Sequence, residues 1–233
     1  MATVANGNGK RAKSGEPVNR VAALAVPQHH ETVQISAPNL KVAEFNVVGV
    51  TPLCVSRFAQ KNREMMKAKM AAGSVAGSKR KRDPRDFDAD YEGAKYVSSE
   101  GWCGLPAGAF RSAMIAACRL VGFKMTNAKL AVFIVADGFD KHDNTPLVRI
   151  HGEPTRHETS LRNATGVADI RIRPLWPKWN IKLRVRYDAD QFSLADVTNL
   201  LMRAGMQVGV CEGRHNSRES NGCGWGEFTI ETK

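Results

Sequence analysis

Between Val208 and Phe228 five glycines, Gly209, Gly213, Gly222, Gly224 and Gly226, surround two arginines, Arg214 and Arg218. Glycine lets a backbone approach a ligand or another chain closely, and arginine forks onto phosphate oxygens. The segment is therefore suited to holding a polyanion, although a hairpin whose glycines only satisfy turns has the same composition. His215 stands in this loop beside Glu212 and Arg214 and is the histidine whose neighbours best suit acid/base work. Three other sets of residues could meet the same ligand. The run Leu105-Pro106-Ala107-Gly108-Ala109-Phe110-Arg111 opens a helix, whose entrance would offer free backbone N–H groups around Gly108 and the guanidinium of Arg111. Arg173, Trp176 and Trp179 lie in a turn set by Pro174 and Pro177, where rings beside cations suit base stacking but tryptophans also serve as core anchors. Arg57 and Lys61 begin a basic helix, and Lys79, Arg80, Lys81 and Arg82 form a basic block that reads as a polyanion contact, a nuclear localisation signal or a solvated loop.

Other chemistries find little to work with. Cys211, His215 and Cys223 match no standard zinc spacing, His29 and His30 have no third ligand nearby, and His142, His151 and His157 show no common metal spacing. A Walker-type loop and a nucleophile elbow are both missing. No metal and no cofactor is expected. The five cysteines are odd in number and contain no C-x-x-C, which fits a reducing cytoplasm rather than a disulfide framework. No secretory h-region is visible and no apolar run approaches the ~18 residues of a membrane span, so a cytoplasmic chain without a membrane partner is expected. The 34 Lys and Arg residues against 23 Asp and Glu give a net charge of +11, which favours a polyanionic partner.

The elements that must position these groups are read from period and caps. Ile181, Leu183, Val185 and Tyr187 alternate with Lys182, Arg184 and Arg186, the signature of a strand with one buried and one cationic face. Upstream, a strand beginning near Asp169 reads as joined to it by a tight turn. Downstream, Ser193 as N-cap, Asp196 at N3 and a staple of Phe192 with Val197 open a helix, with Leu194, Val197, Leu201 and Ala204 inward and Gly205 as its stop. Phe110, Ala113, Met114, Ala117 and Cys118 mark a second amphipathic helix. Leu40–Val55 changes phase between Val42 and Phe45, as a bulged strand would, and the apolar run Leu130–Ala136 reads as a central strand covered on both faces. Leu147–His151 is a further strand and 152–168 a loop. Residues 1–37 read as a flexible basic tail, 38–233 as one domain, and 57–98 as an insertion after the first strand. Without the insertions the order is β-α-β-β-α-β, an α+β fold of the ferredoxin-like, RRM-like kind.

The glycine-rich loop before a last strand, together with the proline-glycine-apolar-basic helix entrance ending at Arg111, resembles the RAMP superfamily. The likeness is to its RRM-like backbone subunit, which coats guide RNA in CRISPR effector complexes. Ser112 stands where that family usually has glycine, and Ile115 where it often has arginine. The resemblance implies a protein that binds single-stranded RNA, or DNA, without sequence preference and assembles with copies of itself, with or without other effector subunits. It also implies a thumb-like role for the insertion. Alternatives are a metal-independent endoribonuclease of the same superfamily, with His215 as its acid/base group, and a structural assembly protein of a phage.

Overall fold

The computed structural model describes residues 35–58, 60–71, 73, 85–162, 166, 168–216 and 222–231. In chain order these form β1 (Leu40–Gly49), β2 (Leu53–Cys54), α1 (Gln60–Ala71), α2 (Phe87–Gly93), β3 (Tyr96–Val97), β4 (Cys103–Pro106), α3 (Ala107–Ala117), α4 (Met125–Ala131), β5 (Val132–Val135) and β6 (Gly138–Phe139). There follow β7 (Pro146–Arg149), β8 (Thr155–Arg162), β9 (Ala168–Trp176), β10 (Asn180–Asp188), α5 (Leu194–Arg203) and β11 (Phe228–Ile230). The fold is mixed α and β, and every strand pairing among the described residues is antiparallel. Pro38–Lys233 forms one unit of the chain. The expected tail, 1–37, lies outside the described residues except at 35–37. No helix among the described residues is long and apolar enough to cross a membrane.

The principal sheet has the order β11-β1-β10-β5. Its inner face carries Phe45 and Val47 of β1 and Ile181, Leu183 and Val185 of β10, all buried together with Phe110 and Met114 of α3 and Val197 and Leu201 of α5. The alternation along 181–187 is thus real, and its outer phase leaves Lys182 and Arg186 exposed. A capping box fixes the start of α5, with the Ser193 hydroxyl accepting from the Asp196 N–H and the Asp196 carboxylate accepting from the Ser193 N–H. Two details differ from expectation: Leu194 is exposed, and the helix does not stop at Gly205 but continues through a π turn over Ala204–Val208. A Cβ on Gly205 would lie 2.1 Å from the Phe228 carbonyl oxygen, so this glycine serves the packing of α5 on β11.

Larger corrections concern the strands. β1 pairs with β10 one residue to one from Leu40 to Val48 without a bulge; Leu40 and Val42 fall on the outer face, which accounts for the phase change. The run from Leu130 first completes α4, where Leu130 is 79% exposed. Only Val132–Val135 then forms a strand, and it is the sheet's edge. The strand at 169–176 makes no hairpin with β10. It belongs to a second sheet, β2-β9-β8, and its long partner β8 occupies the stretch expected to be a loop. A third sheet has the order β3-β4-β7-β6.

The stretch 57–98 is not a detachable insertion at its ends. Arg57 Nη2 lies 3.1 Å from Asp140 Oδ1 and 3.4 Å from Asp143 Oδ2, Ala94 and Ser98 are buried, and β3 joins the third sheet. Excising all of it would strip the Asp140 carboxylate of its cation. Among its described residues, α1 stands free of the core, with Met65, Met66 and Met70 exposed, and α2 has no buried residue. Arg63 leaves α1 to pair with Asp143 at 2.6 Å. Burial pushes the Asp143 carboxyl up, but the Thr145 hydroxyl and N–H, Arg63 and Arg57 together outweigh it and hold the group at about 2, below the ordinary 3.8. A carboxyl depressed in the fold stabilises it fully above its unfolded pKa and loses that contribution as pH falls through the folded value. Stability is therefore expected to drop between about pH 4 and pH 2, with a shallower drop in Asp143→Asn, as chemical denaturation at stepped pH would report.

Candidate nucleic-acid interface

The glycine-rich segment and the entrance of α3 meet in space. β4 runs straight into α3 at Pro106, whose ring fixes φ at −57° and whose side chain offers the helix no cap hydrogen bond. The facing wall is the chain from Val208 to Asn216, tied down where the Glu212 N–H donates to the Cys54 carbonyl at 3.0 Å. Between them lies a groove of about 430 Å³, with Pro106, Gly108 and Ser112 on one side and Gly209, Cys211 and Arg214 on the other. The glycines divide by role. Gly226, at φ +74°, would bring a Cβ within 2.0 Å of the Val210 carbonyl oxygen and so serves the loop's own closure. Gly108 has nothing within 4 Å of its Cβ position and is exposed; packing gives no reason for its missing side chain.

Two charged side chains line the groove, Arg214 and Glu212. Arg214 is half-buried, donates to the Cys211 carbonyl at 2.6 Å and has no carboxylate partner among the described residues. Glu212, the acid nearest in sequence, turns to Arg173 at 3.4 Å. Burial pushes the thiols of Cys54 and Cys211 up to about 12, so both stay neutral and unreactive at neutral pH. Among the described residues no three or more His, Cys, Asp or Glu side chains are grouped to hold a metal ion.

Of the residues singled out in the sequence, Gly108 and Arg214 line this groove. Lys79, Arg80, Lys81, Arg82 and Arg218 lie outside the described residues, and the side chain of Lys61 is not among those described. His215 is exposed beside Glu227 and does not line the groove. Five expectations of a solvent-facing contact are corrected. Trp176 and Trp179 are 0% and 3% exposed, because the corner between β9 and β10 turns them into the core; the Trp179 indole N–H donates to the Thr51 carbonyl at 2.8 Å. Neither can stack on a base. Arg57 and Arg173 are each 5% exposed and paired with acids, so neither projects into solvent, although both line the floor of a cleft.

Arg111 faces away from the groove. Its Nε donates to the Val132 carbonyl at 2.9 Å and its Nη2 to the Lys129 carbonyl, closing the end of α4, and its guanidinium lies 5.4 Å from the Phe133 ring. Arg111→Ala is expected to lower stability by about 1–2 kcal/mol through loss of these charge-assisted bonds while leaving the salt dependence of strand binding unchanged. Thermal melts and a binding isotherm in two salts check both halves.

One cluster escaped the list of candidate residues. On the sheet's outer face Phe133 lies within 5.0 Å of the Arg186 guanidinium and 5.4 Å of that of Arg111. Lys182 pairs with Glu44 at 3.0 Å and Arg184 with Asp137 at 2.9 Å, while Val42 stands exposed. The alternation along β10 signalled the cations. The aromatic was hidden by reading its strand as covered on both faces.

A comparison of the sequence with models of known protein families finds no match, and a comparison with curated proteins finds none.

Proposed function

We propose that this chain binds single-stranded nucleic acid, RNA before DNA, through the strand's sugar-phosphate backbone and multiplies along it, in the manner of the RAMP backbone subunits its motifs resemble. The observation that carries this reading is the groove in which the α3 entrance and the Arg214 loop face each other. Such a groove offers the backbone donors of the α3 entrance and, in Arg214, a guanidinium without a carboxylate partner among the described residues; contacts to the sugar-phosphate backbone carry no sequence information, so sequence preference should be weak. The net charge of +11 supports it. So does the strand order β11-β1-β10-β5, with α3 between β1 and β5 and α5 between β10 and β11, which suits a ferredoxin-like β-α-β-β-α-β core carrying two added sheets.

A groove of this size holds only a few nucleotides, so tight binding calls for neighbouring copies on one strand. Mass photometry on oligouridylates of about 10, 20 and 40 nucleotides is expected to show copy number rising with length. One copy at every length would overturn the assembly. The endoribonuclease reading draws on one observation, the carboxylate of Glu227 set against His215 Nε2, which could orient that imidazole as a base. Shortened RNA released in the presence of a chelator, and lost in His215→Ala, would favour it.

A further inference from the structure

We infer that a second, arginine-lined cleft takes the next phosphate of the bound strand; this rests on the reading above. The cleft has a volume of about 360 Å³ and lies where residues 56–58, the approach to α2 and β9 converge. Ser56 lines both it and the groove beside α3, so the two are contiguous along the surface. Its floor holds Arg57 and Arg173, and its rim Arg85 and Arg171, whose side chains are 42% and 47% exposed.

Three features point to an oxyanion. The Arg57 Nε–H is buried and has no partner among the described residues; an unmet donor on a buried cation is costly and marks the place of a missing acceptor. Arg173 touches Glu212 only at 3.4 Å, longer than a good charged hydrogen bond. On the rim Asp169 is shared between Arg85 at 2.7 Å and Arg171 at 3.5 Å, and Asp90 meets Arg85 Nε at 2.5 Å. Exposed pairs of this kind contribute about 0–1 kcal/mol, so a phosphate can displace Asp169 at little cost. Guanidiniums arriving from three chain segments suit a tetrahedral anion better than a planar carboxylate, which two parallel N–H groups would satisfy.

The neighbouring acids Asp90, Asp140, Asp143, Asp169 and Glu212 offset much of this charge. The cleft is thus a weak site for a lone anion and an effective one for a phosphate delivered by a strand already held beside Ser56, where effective concentration replaces intrinsic affinity.

The test uses the full chain, a labelled oligouridylate of about 20 nucleotides, and inorganic phosphate as the free-anion probe. The double variant Arg85→Gln/Arg171→Gln is expected to weaken oligonucleotide binding about tenfold and to lower the salt slope by about one to two units. Asp169→Asn, which frees Arg171 and leaves Arg85 with Asp90 alone, is expected to tighten binding, so support does not depend on a loss that misfolding could mimic. If wild type binds the strand while both variants keep its affinity and slope, the cleft lies off the path: this inference falls and the groove reading stands. If wild type binds no strand but phosphate raises its melting temperature above that in chloride of equal ionic strength, and the double variant loses the rise, the cleft is a free-phosphate site and the strand reading falls. Binding of neither probe overturns both.

Discussion

Gly108→Leu is expected to leave the fold as stable as wild type, or more so, and to weaken single-strand binding tenfold or more. Gly108 sits in the first turn of α3, in helical backbone that any residue can adopt, with nothing within 4 Å of its Cβ position. Glycine in a helix is less favourable than alanine or leucine by up to about 1 kcal/mol, so the fold gains from the substitution. The ligand does not. The new side chain would project into the groove opposite Arg214 and hold a phosphate away from the first-turn N–H groups, whose attraction fades beyond contact range. Fluorescence anisotropy and thermal melts on the same preparation separate the two effects. A stable protein with wild-type affinity would remove the groove from the binding path.

Asp140→Ala should have the opposite profile, a loss of about 3–5 kcal/mol in stability, or roughly 6–20 °C in melting temperature for a chain of this size. Asp140 is 1% exposed. Its carboxylate meets Arg57 and also accepts from the backbone N–H groups of Val97, His142 and Asp143. Removing it leaves the buried guanidinium with only the longer contact to Asp143 at 3.4 Å and strands three donors at once. If Arg57 instead served as a surface contact, the substitution would release a cation, leave the melt nearly unchanged and tighten binding. Calorimetry of the variant distinguishes these outcomes.

Local signals in the sequence carry far enough to locate α1, α3 and α5 and the walls of the groove, but not the short helices α2 and α4. The burial of Phe110, Ala113, Met114 and Ala117 follows the helical period, the Ser193–Asp196 box sits where the cap residues indicate, and both walls of the groove announce themselves by glycine, proline and arginine. What failed was non-local. Asp140 lies 83 positions from Arg57, so the charge that buries this arginine cannot be seen from its neighbours. Trp176 and Trp179 read alike as stacking platforms or as core, because only the turn from the second sheet into the first decides which way they point. β8, Thr-Arg-His-Glu-Thr-Ser-Leu-Arg, runs along the edge of its sheet and is mostly polar, so it lacks the apolar alternation that marks a half-buried strand. With β8 read as a loop, β9 was assigned to the wrong partner.

On the proposed reading, this protein holds the charge of a strand's backbone and not the identity of its bases. The salt dependence of equilibrium binding tests it most directly, with oligouridylate and an oligonucleotide of mixed sequence compared between about 50 and 200 mM salt. Three to five phosphate contacts imply a linear fall of log K against log salt with a slope of about −2 to −4 for both strands, and affinities within a few-fold of each other. A flat dependence, or a slope shared by neither strand together with strong preference for one of them, would contradict the account.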